Sequence, residues 1–174
     1  MFHKGRPARL LAVFGLVAAS ALSASPVRAS APEVIGPIHS TGTFFGSECG
    51  FDGRIDFDVT ETFTIFRDDD GEPGRIIYRV RAPHDIFTNL ETGESFVVRG
   101  MFQEFIERIP GTNDYTKEIS GFRYLVNQPG QGVTIQEVGR VVYGDLDQTV
   151  VLFQAGKHQL LFEEDFELLC GLSG

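Results

Sequence analysis

"RIDFDVTETFTIF", Arg54 to Phe66, alternates apolar and polar residues over most of its length. Ile55, Phe57, Val59, Phe63 and Ile65 share one parity, while Asp56, Asp58, Thr60, Thr62 and Thr64 take the other. Successive side chains of a strand point to opposite faces, so this period of two marks one half-buried strand or two in succession. The same chemistry continues in "RIIYRVR" (75–81), "DIFTNL" (85–90), "SFVVRGMFQEFIERI" (95–109), "TKEISGFRYLVN" (116–127), "VTIQEVGRVVYG" (133–144) and "TVVLFQAG" (149–156). A shorter strand is expected at "STGTFF" (40–45). Asp70-Gly71, Pro73-Gly74, Thr92-Gly93, Pro110-Gly111, Pro129-Gly130 and Gly144-Asp145 supply turns between these runs.

Links this short leave no room for crossover helices, so the expected topology is an antiparallel meander. Several runs exceed the usual five or six residues of a strand. Long strands joined by hairpins suit closure into a barrel, which removes exposed edges. Gly100, Gly121 and Gly139 interrupt strand patterns where barrel walls need bulges or corners. The expected fold is therefore all-β, a meander closed as a barrel of roughly eight strands. Its likeness to lipocalin or allene-oxide-cyclase barrels is one of architecture alone. A two-sheet β-sandwich is the alternative. "EEDFELLCGL" (163–172) begins with acids, spaces Phe166, Leu169 and Cys170 helically, and stops at Gly171. It predicts a short helix capping one barrel end.

The first residues pair a basic stretch, "MFHKGRPAR", with an apolar run from Leu10 to Ala19, followed by small residues. This is the pattern of a secretory signal, cut after Val27-Arg28-Ala29, and the run is too short for a membrane helix. Residues 1–29 are thus expected to be removed, 30–38 to form a lead-in arm, and 39–174 to form a single domain. After Ala29 there remain 24 acids against 11 bases, a net charge of −13. Such a surface argues against nucleic acid and anionic membranes as partners. The two cysteines, Cys49 and Cys170, lie near opposite ends of the exported chain, where an oxidising compartment favours a single disulfide.

The acidic run Asp68-Asp69-Asp70-Gly71-Glu72 invites a calcium reading. Aligned to the loop pattern with Gly71 as its glycine, Phe66 and Ile77 fall where the first and last ligands belong, so the calcium loop fails. A hairpin tip, with Gly71 supplying a positive φ, accounts for the same residues. His39, His84 and His158 show no ligand spacing, so no metal is assigned, and the last two read as satisfied loop histidines. No nucleophile elbow is present: "GSECG" (46–50) sets Ser47 directly after Gly46. "PGQGVT" (129–134) lacks the strand, helix and third glycine of a dinucleotide loop. No catalytic residue and no cofactor are assigned.

Charges on strands are the remaining candidates. Glu104, Arg123 and Glu137 share strand parity with apolar neighbours, and Tyr78, Tyr124 and Tyr143 are placed to add hydroxyls. Pointing inward, such groups must be paired or must meet a polar ligand atom; pointing outward, they are rim residues.

Several short motifs resemble those of a group of small exported actinobacterial proteins without an established activity. They are Cys49-Gly50-Phe51, the Asp70-Gly71 hairpin before Pro73, Thr88-Asn89-Leu90-Glu91-Thr92-Gly93, Gly156-Lys157-His158 and the late Cys170. The resemblance implies export, one β domain and a Cys49–Cys170 bridge. The leading functional expectation is a secreted barrel that binds a small apolar or amphipathic ligand, with any protein partner left open. The alternatives are an isomerase or cyclase using Glu104 or Glu137, and an envelope interaction protein.

Overall fold

A computed structural model describes residues 31–47, 49–160 and 167–172. Seven strands form one antiparallel sheet in chain order: β1 Glu33–Gly46, β2 Gly53–Arg67, β3 Pro73–Asn89, β4 Ser95–Arg108, β5 Tyr115–Gln128, β6 Gly132–Tyr143 and β7 Val151–Lys157. A single helical turn, α1, follows at Glu167–Cys170. The expected export signal and the start of the expected helix lie outside the described residues.

The meander is as expected, and three details differ. Among the described residues the sheet is open, with β1 and β7 as its edges, so closure into a barrel is not supported. Closure requires a last strand whose length and stagger match the first. β7 has 7 residues against the 14 of β1, and it covers only Val138–Tyr143 of β6. Next, the runs 75–81 and 85–90 are one strand, β3, which passes Pro83 at a register shift between Ala82 and Asp85. Finally, the expected arm is already strand from Glu33, which pairs with Ile65 of β2.

Register shifts recur at one level across four neighbouring ladders: Asp56/Thr60, Ala82/Asp85, Arg99/Met101 and Phe122/Tyr124. An extra residue in one strand bends it and increases its twist, so this line of shifts folds the sheet into two halves. Glycines occupy the bend. Gly121 lies opposite Gly139, which lies opposite Gly156. A Cβ at Gly121 would stand 2.5 Å from the Met101 carbonyl oxygen, and one at Gly139 2.1 Å from that of Ala155. Their φ angles of 120° and 143° also exclude ordinary side chains. The glycines expected at barrel bends therefore do bend the wall, but the wall stays open.

Each half carries its own apolar cluster on the same face, here called the core face. Phe96, Val126, Ile135 and Leu160 form one, with Phe87, Tyr124 and the C-terminal Leu169 and Leu172 packed against it. Ile119, Val141 and Tyr143 form the other, with Phe102 and Val151. The Phe87 and Phe96 rings stack at 4.9 Å, and Phe51 meets Phe87 edge-on. Cys49 and Cys170 are joined by a disulfide, which ties the β1–β2 connection to α1.

Candidate functional site

The six polar residues singled out on the strands all come to the core face or its bend. Cross-strand pairing sets Phe63, Tyr78, Glu104, Ile119 and Val141 in one row, so Tyr78 and Glu104 are direct neighbours. Tyr124 stands opposite Glu137, and Tyr143 opposite Lys117. Arg123 is the extra residue of the β5 bulge, between the pairs Phe122–Val138 and Tyr124–Glu137. A bulge re-aims the side chain it carries. The Arg123 guanidinium accordingly lies 5.6 Å from the Tyr124 ring centroid and 3.3 Å from Oε1 of Gln148.

These residues are engaged mainly with one another. Glu104 pairs with Lys117 at 3.4 Å, each side chain 13% exposed. The Tyr78 hydroxyl donates to Glu61, and burial first, then that bond and the charges of Glu61 and Glu104, pushes its pKa well above the usual 10.0. Tyr143 is fully buried and its hydroxyl has no hydrogen-bond partner among the described residues. Burial raises its pKa, Arg123 draws it back, and Glu137 and Glu104 push it up again.

Glu137 is 2% exposed and completely satisfied. His158 Nδ1–H donates to Oε1 at 2.6 Å, while the backbone N–H groups of Gln159 and Leu160 donate to Oε2 at 2.8 and 2.9 Å. The other ring nitrogen of His158 lies 3.2 Å from the Ala155 carbonyl oxygen, so both ring nitrogens face an oxygen acceptor. The sequence reading took His158 as a satisfied loop histidine. It is satisfied, but by a buried carboxylate 21 positions away, beyond any local spacing pattern.

The opposite, open face holds two features that the sequence reading did not single out. A groove of about 420 Å³ is lined by Thr60, Thr62, Arg79, Arg81, Gln103 and Ser120, with Val80, Met101 and Phe102 beside them. Its floor is two cross-strand rows, Thr62–Arg79–Gln103–Ser120 and Thr60–Arg81–Met101. A second hollow of about 320 Å³ adjoins it, with Arg75 and Arg140 in its wall. In that hollow each arginine has a carboxylate: Arg75 meets Glu107 at 3.2 Å, and Arg140 grips Glu118 with two contacts of 2.7 Å. In the larger groove neither arginine has one among the described residues. Arg79 reaches only the Thr64 hydroxyl, at 3.5 Å. The alternation of "RIIYRVR" already placed Arg75, Arg79 and Arg81 on one face, which was the available signal.

The acidic run closes as a hairpin tip. Asp68 N–H donates to the Glu72 carbonyl at 2.8 Å, Gly71 N–H to that of Asp68 at 2.9 Å, and Gly71 has a φ of 84°. Arg108 lies 3.5 Å from Asp68 and 3.2 Å from Asp70. Among the described residues, no group of three His, Cys, Asp or Glu side chains is placed to hold a metal ion, and no helix is long and apolar enough to cross a membrane. In comparison with known proteins, the chain matches no family, no curated protein and no solved structure.

Proposed function

We propose that this is an exported binding protein that seats a small anionic amphipath in the open-face groove, without chemistry. One observation carries the reading: Arg79 and Arg81 line a groove of ligand size and no carboxylate among the described residues pairs with them, in a chain with a net charge of −9. An arginine fork matches a carboxylate, phosphate or sulfate head group. Thr60, Thr62, Gln103 and Ser120 supply further polar contacts, and the exposed Met101 supplies apolar surface for a short tail. The N-terminal signal pattern, the disulfide and the likeness to small exported actinobacterial proteins support export.

This reading keeps the amphipathic ligand expected from the strands and moves it from a closed lumen to an open wall. The enzyme alternative has less support, because Glu104 and Glu137 are held by Lys117 and His158 and neither borders the groove. The test is titration calorimetry with decyl phosphate, below its aggregation threshold, on the wild type and on Arg79→Gln/Arg81→Gln. Binding should weaken at least ~10-fold in the double variant, as for loss of charge-assisted contacts. Unchanged affinity would remove the groove from the account.

A further inference from the structure

β1 is one edge of the sheet, and no strand among the described residues pairs with its outer rim. Such a rim is a template for further pairing, and natural sheets blunt it with lysines, prolines and inward charges. β1 has little of this protection. From Val34 to Gly46 it contains no Asp, Glu, Lys or Arg, although the chain holds 24 acids and 15 bases. Pro37 interrupts only its first part, where the register shifts between Ile35 and Ile38. What remains is Ile38–Gly46, a regular run paired on its inner side from Glu61 to Gly53.

Apolar side chains flank that run on both faces of the sheet. Ile38 and Phe44 project on the parity of Glu61 and Ile55, and Phe45 on that of Arg54; their exposures are 42%, 53% and 63%. The other edge is less suitable. β7 spans 7 residues, ends in Lys157, and has Gly156 at a φ of 124°.

We propose that Ile38–Gly46 pairs antiparallel with the same segment of a second copy, joining two seven-stranded sheets into one across a twofold axis. The occupant follows from symmetry and charge. An antiparallel strand paired with its own copy is self-complementary, so each outward N–H meets a carbonyl; with Gly42 on the axis, Ile38 faces Gly46, Phe44 faces Ser40 and Phe45 faces His39, each large side chain opposite a smaller or polar one. Two exported copies repel through their excess of acids, and an approach along a run that has no Asp, Glu, Lys or Arg of its own keeps most of that charge apart. The groove lies on β2 to β5 and is left clear, so this pairing stands apart from the proposed binding.

Sedimentation velocity of the exported chain from ~1 to ~200 µM tests it, since mass action makes the dimer concentration-dependent. A monomer–dimer equilibrium is expected, and it should tighten as salt rises, because screening relieves repulsion between the acidic copies, while the contact of His39 with Asp58, 2.6 Å, lies within each copy and not across the axis. The variant Ile38→Lys/Thr41→Lys, at two exposed positions, should weaken association at least ~10-fold through like charges facing across the axis. Leu152→Lys/Phe153→Lys on β7 should leave association unchanged. Hydrogen exchange of the wild type gives a readout that needs no variant: amides within 38–46 should gain protection at the high end of the concentration range. A monomer throughout, with exchange in 38–46 independent of concentration, would overturn the proposal. So would dissociation by the β7 variant alone.

Discussion

Glu137 illustrates what a buried charge requires. Its two oxygens take three donors, so the carboxylate fixes the chain just after β7 to the middle of β6. Removing the carboxylate leaves the two backbone N–H groups and the His158 ring nitrogen without their acceptor, at a cost of about 1–3 kcal/mol for each buried donor. Glu137→Ala should therefore lower the urea midpoint strongly. Arg140→Ala, which breaks the exposed pair with Glu118, should change stability by less than ~1 kcal/mol. Comparable losses in the two variants would contradict this account of Glu137. Tyr78 gives a pH signature. The folded chain holds its proton above the usual 10.0, whereas the unfolded chain releases it there. The folded state then binds more protons, and stability falls as pH rises beyond about 10. Urea unfolding at ~pH 9 and ~pH 11 should show a smaller loss in Tyr78→Phe than in the wild type, and equal losses would count against the assignment.

At the scale of elements, the bend decides the shape. Strands with one apolar parity form a sheet almost irrespective of detail, but a sheet of this length must curl to bury both apolar clusters. The line of register shifts and the Gly121–Gly139–Gly156 row allow it. Gly139→Ala would put a methyl group against the Ala155 carbonyl in a backbone region closed to alanine. A loss of about 2–4 kcal/mol is expected in chemical denaturation, and a neutral outcome would show that the bend does not depend on that glycine. The strands and the Asp-Gly hairpin were legible because both are local: period two for the strands, a positive φ at Gly71 for the turn. β3 was misread as two strands because Ala82-Pro83-His84 breaks the alternation, and a register shift carries the strand past it. The arm was misread because Gly36 and Pro37 imitate a linker, while long-range pairing with β2 holds them in a strand.

At the scale of the whole molecule, closure could not be read from any one strand. It depends on summed twist and stagger and on whether the last strand reaches the first, and β7 is too short. Polar residues on strands were legible as candidates, and Tyr78, Glu104, Arg123, Tyr124, Glu137 and Tyr143 do gather on one face or its bend. Their partners, Glu61, Lys117, Gln148 and His158, come from elsewhere in the chain and carry no spacing signal. The Cys49–Cys170 bridge spans 121 positions and constrains the unfolded chain, for which the loop-entropy relation gives an upper value of ~5 kcal/mol. Reduction under native conditions should lower the melting temperature markedly, and an unchanged value would mean that the sheet alone carries the stability. The central claim is the groove, and chemical-shift mapping with decyl phosphate and decanol as paired ligands tests it most directly. The phosphate should shift the amides of Thr60, Thr62, Arg79, Arg81, Gln103 and Ser120, and decanol should bind far more weakly. Shifts confined to the core face around Tyr143 and Arg123, or equal binding of the two ligands, would contradict it.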